Sequence, residues 1–392
     1  MSAEACMDSG CGRETGRRLA GSTPAARTRR GRGATANPTG RFEAAQREAF
    51  SDGWERQEDI GEDQEDSREV RADDLPPLRT EVTLERARTI ITRNDSPDIG
   101  FDRSINPYRG CEHGCVYCFA RPNHAYAGLS PGLDFETKLF AKPDAASLLE
   151  RELSARGYAP RTIALGTATD PYQPIERRYR LTRGVLEVLA RFRHPVGLVT
   201  KSDLVLRDLD ILAPMAAEGL VKVALSVTTL DPDLARRMEP RAPRPEKRLR
   251  AIRALAEAGV PVMVLVAPLI PGLNDHEIEA ILARARDAGA SEAGGVLLRL
   301  PHELADLMRD WFAEHYPDRA RRTFSLLAQS RGGKVYDAAY GRRFTGTGPY
   351  ADLLDRRMRA AMTRLGYPAE RLRLRADLFA VPVRVGGQYS LF

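Results

Sequence analysis

The stretch Cys111-Glu112-His113-Gly114-Cys115-Val116-Tyr117-Cys118 packs three thiols into eight residues. Thiols this close converge on one metal centre without help from elsewhere in the chain. A structural zinc or a closed four-iron cluster takes four ligands, so the Cys-x3-Cys-x2-Cys run leaves one metal position open. Zinc in a Cys3His site would have to recruit His113, yet that residue lies between two ligating cysteines. A short loop can hardly turn both thiols and the imidazole tetrahedrally inward. A catalytic cysteine with a remote histidine would leave the other two thiols redundant, and unligated structural thiols form the third alternative. The spacing favours an iron-sulfur cluster over each of these.

At 392 residues the chain accommodates two average domains or one large α/β barrel with appendages. Its formal charge of +6 is compatible with a nucleic-acid partner, but the excess is almost entirely arginine in an Ala/Arg-rich chain, so charge alone decides nothing. Of the five cysteines, Cys6 and Cys11 fall in a Gly/Arg/Ser-rich segment and the other three form the motif, which fits a reducing cytoplasm. No apolar run reaches membrane-spanning length and no hydrophobic secretory segment opens the sequence, so no membrane partner is expected and the expected location is cytoplasmic.

Working outward, residues 1–75 read as a disordered tail: a basic Gly/Ala/Arg stretch through Gly40, then an acidic run from Gln57 to Glu69. The short island Arg41-Phe42-Glu43 is read as solvated with the rest. Residues 76–316 read as the core barrel, and from roughly Ile105 to Tyr316 the chain alternates β-branched runs with amphipathic segments, the pattern of parallel strands joined by helical crossovers. The candidate strands are Arg103 to Pro107, Thr162 to Gly166, Val196 to Lys201, Val221 to Thr228, Val260 to Leu269 and Gly295 to Leu300. Ile278, Ile281, Leu282 and Ala285 predict one buried helix face, behind a capping-box-like Asn274-x-x-Glu277. Right-handed crossovers curl six such units into a partial (β/α)6 TIM-like barrel, whose chemistry belongs at the carboxyl ends of the strands. Residues 317–392 form a C-terminal extension in which Arg331, Lys334, Arg342 and Arg343 interleave with Tyr336, Tyr340, Phe344 and Tyr350. A cover over the open side of the barrel is favoured there over a base-stacking surface.

The cysteine motif, followed by Phe119-Ala120-Arg121-Pro122, resembles that of the radical S-adenosylmethionine (SAM) superfamily. The resemblance spans about residues 80–320, includes Ser104-Ile105-Asn106-Pro107-Tyr108-Arg109-Gly110, and points to an uncharacterised bacterial family grouped with spore photoproduct lyase and DNA repair photolyase-like proteins. It implies a [4Fe-4S] cluster held by Cys111, Cys115 and Cys118, with SAM on the uncovered iron and reductive cleavage of SAM to a 5'-deoxyadenosyl radical. It also implies SAM contacts. Tyr117 matches an aromatic near the adenine. Thr169 and Asp170, in Gly166-Thr167-Ala168-Thr169-Asp170, stand where the superfamily often has a Gly-Gly-Glu-like segment. Lys201 and Ser226 match a lysine and a serine that contact SAM, and Arg241 is a further partner for its carboxylate. Pro268 and Ile270 fall in the segment under the adenine, with Pro268 replacing a glycine.

The histidines His124, His194 and His315 have no partners at ligand spacing and read as structural. No catalytic residue proper is assigned. The implied electron donor is a flavodoxin or ferredoxin. DNA is a candidate partner or substrate, against a small-molecule or protein substrate and against a non-enzymatic iron-sulfur redox sensor. No cysteine follows Cys118, so the thiol that returns a hydrogen atom in spore photoproduct lyase has no counterpart. The terminal Gln388-Tyr389-Ser390-Leu391-Phe392 resembles the peptide with which bacterial DNA-maintenance proteins dock on the replication sliding clamp. Leu391 and Phe392 would be its apolar anchors and Gln388 its register-setting residue.

Overall fold

The computed structural model describes residues 31–43 and 78–382. Strand β1 (Glu81–Leu84) precedes β2 (Ile91–Arg93), β3 (Arg103–Ile105), β4 (Tyr108–Arg109) and β5 (Lys138–Ala141). These are followed by β6 (Ile163–Leu165), β7 (Val196–Thr200), β8 (Val221–Ser226), β9 (Val262–Leu269) and β10 (Glu292–Leu297). The main sheet runs in the order β10-β9-β8-β7-β6-β3-β2. Strands β3, β6, β7, β8, β9 and β10 are parallel, each paired with the next of that set, and β2 lies antiparallel on the outer edge of β3. The two edges, β2 and β10, are not paired with each other, which leaves the barrel partial.

The physical cause is legible strand by strand. Ile105, Leu165, Leu198, Leu225 and Val264 are essentially fully buried, as strands sandwiched between helices and a barrel interior require. The crossovers place Leu181–Arg191, Leu209–Ala217, Pro245–Glu257, Ile278–Asp287 and Leu304–His315 after successive strands. Ile278, Ile281, Leu282 and Ala285 form the buried face of their helix as expected. The capping box does not form. Asn274 is buried and bridges backbone instead, accepting from the Ile270 N–H (2.7 Å) and donating to the carbonyls of Thr228 (2.8 Å) and Pro268 (2.9 Å). Glu277 accepts from the Leu230 N–H at 3.2 Å. Closing the exit of β9 outweighs a helix cap because these backbone groups are buried and need partners.

The last strand begins three residues earlier than its apolar run suggests, at Glu292. That glutamate is nearly buried and is paired with Lys222 Nζ at 3.2 Å, which lets a charged residue occupy a strand interior. A second, three-stranded sheet, β1-β5-β4, was not expected from the sequence. Its strand β4 leads directly into the cysteine motif.

Residues 31–43 correct the expectation of a disordered tail over that span, since Arg32, Gly33, Ala34 and Thr35 are buried against the core. Arg41 pairs with Glu303 at 2.8 Å and Phe42 stacks on Tyr126 with ring centres 5.1 Å apart, so the island docks rather than floating. The rest of residues 1–75 lies outside the described residues, as do Gln388, Leu391 and Phe392.

In the C-terminal extension, the Leu297 N–H donates to Phe344 O (2.8 Å) and Arg331 Nη2 to Leu298 O (2.8 Å), which fixes the segment to the β10 side. Arg343 pairs with Asp98 at 2.5 Å, between β2 and β3. The segment therefore runs from one open edge of the sheet to the other, as a cover should. Among the described residues no helix is long and apolar enough to cross a membrane.

Candidate metal and cofactor site

The cysteine loop leaves β3 and β4 at the carboxyl end of the sheet and is pinned from several sides by backbone. The Cys111 N–H donates to Phe135 O (2.9 Å), the Val116 N–H to Met238 O (3.0 Å) and the Arg241 N–H to His113 O (3.3 Å). Gln173 clasps the loop entrance, accepting from the Glu112 N–H (2.9 Å) and donating to Gly110 O (3.2 Å). Gly114 turns the chain at a φ of 67°, in the left-handed region that a side chain resists.

All three thiols are free. Burial pushes Cys111 well above the usual thiol range, helped by the carboxylate of Asp170 and by the two other thiols. Burial and the nearby carboxylate of Glu239 push Cys115 up as well, against the pull of Lys201. Buried thiols that repel one another's ionisation suit a metal centre, whose positive charge reverses that balance. Among the described residues no three His, Cys, Asp or Glu side chains are gathered to hold a single metal ion. Thiolates are the donors that a four-iron cluster takes, and three of them on one loop leave one iron open. The donor set fits the cluster.

Beside the thiols lies a buried polar network that the sequence reading missed. Glu239, fully enclosed at its side chain, accepts from Tyr117, from Arg248 and from Thr228 (2.7 Å). Lys201 Nζ stands 4.0 Å from Glu239 and 5.7 Å from the centre of the Tyr117 ring. Tyr117 and Lys201 thus meet. The only sequence signal for Glu239 was its place two residues before Arg241.

The remaining candidates divide. Asp170 is drawn into the framework: it accepts from Thr200 (2.6 Å) and from the N–H groups of Lys201 (2.8 Å) and Tyr172 (2.9 Å). Burial raises its carboxyl, but the adjacent His113 and these donors outweigh that and hold it at about 2. His113 Nδ1 sits 3.3 Å from Asp170 without the alignment of a hydrogen bond. The Thr169 hydroxyl donates to Tyr108 O at 3.2 Å. Ser226 is the buried last residue of β8, its carbonyl taken by Arg248 (3.1 Å). Arg241 pairs with Glu112 at 2.9 Å, outside the thiol pocket's polar network. Pro268 follows a cis peptide bond near the end of β9, and Ile270 is enclosed in the core with its N–H bound to Asn274. Of the candidates, Lys201 and Tyr117 are thus a pair that the fold brings face to face.

His124 and His194 are structural. His124 Nε2 meets Lys138 O at 2.9 Å, and His194 bridges Tyr158 (2.8 Å) and Pro195 O (3.0 Å). Burial lowers both to about 4.

The model of the radical SAM superfamily matches residues 105–285, from the end of β3 through the helix after β9. This chain carries a radical SAM domain. The cofactors of the radical SAM superfamily are a [4Fe-4S] cluster and SAM. An uncharacterized protein of Mycobacterium tuberculosis is 38% identical over 224 residues, 57% of this chain and 66% of the relative. One of Methanocaldococcus jannaschii is 30% identical over 173 residues, 44% of this chain and 62% of its own. The matched region thus spans just under two thirds of these relatives. Among solved structures, a spore photoproduct lyase variant "with bound AdoMet and dinucleoside spore photoproduct" superposes with a TM-score of 0.52, covering 72% of this chain and 79% of that one. At 16% identity this shows a shared fold.

Proposed function

We propose that this protein is a radical SAM enzyme whose cluster is held by Cys111, Cys115 and Cys118. The observation that carries the reading is the set of three free thiols, two buried and one half-buried, on a pinned loop at the carboxyl ends of the parallel strands of a radical SAM domain. When bound and reduced, by a donor such as flavodoxin or ferredoxin, the cluster with SAM supplies a 5'-deoxyadenosyl radical that abstracts hydrogen. The chain's own residues do the rest. Lys201 offers the ammonium for the carboxylate of SAM, held in place by Glu239 and the Tyr117 ring. Tyr117 supplies the aromatic wall. Thr169 and Asp170 keep the β6 and β7 exits fixed around it, while the C-terminal cover excludes water.

Anaerobic reconstitution should give a brown protein with about four irons per chain, because no thiolate beyond Cys118 exists for a second cluster. Addition of SAM and dithionite should then yield 5'-deoxyadenosine. A colourless protein with one tightly bound zinc would refute the reading.

For the substrate we favour nucleic acid, in repair or modification, over a small molecule or protein side chain. Phe119, directly after Cys118, is 43% exposed, and the Arg299 guanidinium is layered between it (4.8 Å) and Phe344 (4.7 Å). Arg343 lies over Phe344 (4.8 Å) and the exposed Tyr340 (5.0 Å). Layered aromatic and guanidinium groups next to the cluster loop offer stacking faces, with the phosphate-neutralising charge left to Arg299 because Arg343 is already paired with Asp98. Short single-stranded DNA should bind in a salt-dependent manner, and replacing both Phe119 and Tyr340 with alanine should weaken binding by roughly tenfold or more, at about 1–3 kcal/mol per lost stack. Equal affinity of the two proteins would remove nucleic acid from the proposal.

A further inference from the structure

The segment following Gly31 touches the cysteine loop more closely than any side chain would permit. A Cβ placed on Gly33 would fall 1.8 Å from Gly114 O and 3.3 Å from Val116 N, both backbone atoms of the motif itself. The approach is repeated further along: a Cβ on Gly132 would lie 2.2 Å from Ala36 O and 2.9 Å from Asn37 Cα. These clearances let the segment lie flat against the loop.

Its central polar contacts run to Glu136. The N–H groups of Gly33 (3.0 Å) and Ala34 (2.8 Å) donate to the two carboxylate oxygens of Glu136, whose side chain is completely buried. Glu136 in turn binds Arg121 at 2.5 Å, and Arg121 donates to the carbonyls of Cys115 (2.9 Å) and Gly114 (3.1 Å). Arg32 anchors one end of the segment, through Glu136 O (2.8 Å) and Leu78 O (2.5 Å). Asn37 anchors the other, exchanging two hydrogen bonds with Asp134 (3.1 and 3.0 Å).

We propose that residues 32–38 are a strap belonging to the cluster site, which fixes the Gly114 and Cys115 carbonyls through Glu136 and Arg121 and shields the loop from water. Gly33 and Asn37 are then positioning residues: neither touches the metal centre, and each acts through the loop that holds it. Outer partners of this kind orient ligands and control solvent access, which sets how firmly a metal is held and at what potential. The inference rests on the cluster assignment above.

The test uses the full chain, reconstituted anaerobically. Gly33→Val is compared with Gly100→Val, a site where a Cβ meets nothing within 4 Å. The readouts are the rate at which a chelator strips iron, the reduction potential and the EPR line shape of the reduced cluster. Gly33→Val should lose iron roughly tenfold faster or more, with a shifted potential, while Gly100→Val matches the parent. Should Gly33→Val lack native circular dichroism, Asn37→Ala decides, with a several-fold faster loss expected. Parental loss rate and potential in a folded strap variant would overturn the strap while leaving the cluster assignment standing. A parent protein that takes up no cluster would overturn that assignment instead.

Discussion

Replacing Cys115 with alanine should abolish both the brown cluster and 5'-deoxyadenosine formation. The argument is one of ligand count. In the proposed site three thiolates are the protein's contribution, so losing one leaves two, and among the described residues no other cysteine is present to replace it. Alanine is the informative replacement because a serine oxygen could still ligate. The fold should survive: the Cys115 carbonyl, which Arg121 holds, and the Cys118 N–H that donates to it at 3.2 Å are backbone groups and remain. Metal-free parent and variant should therefore unfold within about 1–2 kcal/mol of one another, the usual range for losing one small buried group. Product formation at the parental rate, with iron content unchanged, would sink the assignment of this residue.

The second large effect is on stability. Arg121 is fully buried, and its guanidinium donates to Cys115 O, Gly114 O, Pro131 O (3.1 Å), Gly132 O (2.9 Å) and Glu136. Arg121→Met keeps most of the volume and removes every one of these bonds. It leaves Glu136 as a buried carboxylate with only the Gly33 and Ala34 N–H groups as partners. Breaking a buried ion pair from one side costs about 3–5 kcal/mol. Denaturant unfolding of the metal-free protein should show a loss of that order. The double variant Arg121→Met, Glu136→Leu should recover part of it, because an unpaired buried charge is worse than none. Identical stabilities of single and double variants would mean that the charge of Glu136 is not what Arg121 compensates.

How much of this was legible in advance depends on what kind of force fixes each part. The six parallel strands and their order follow from local apolar runs, because a strand buried on both faces must be written in Val, Ile, Leu and Ala wherever it occurs. Their ends are less legible. Glu292 opens β10 only because Lys222, seventy residues away in the chain, neutralises it. The small sheet of β1, β5 and β4 escaped notice because β4 is two residues long and gains its stability from a distant partner.

The sequence by itself determined the donor set on which the cluster proposal rests: three thiols at Cys111, Cys115 and Cys118 are a covalent inventory that no packing can alter. Tertiary structure decided how that inventory is held. Lys201 follows β7, whereas Thr228, Glu239 and Arg248 follow β8, and they converge only when the sheet is formed. The same convergence gave Thr169 and Asp170 to the framework and left Lys201 and Tyr117 together. The strap is the extreme case. Its residues carry no apolar periodicity, and they are held by backbone N–H groups and by the missing Cβ of Gly33, neither of which a residue pattern records. Hydrophobic burial marks the sequence wherever it acts, whereas backbone hydrogen bonds and steric clearance arise from distances that exist only in the folded chain.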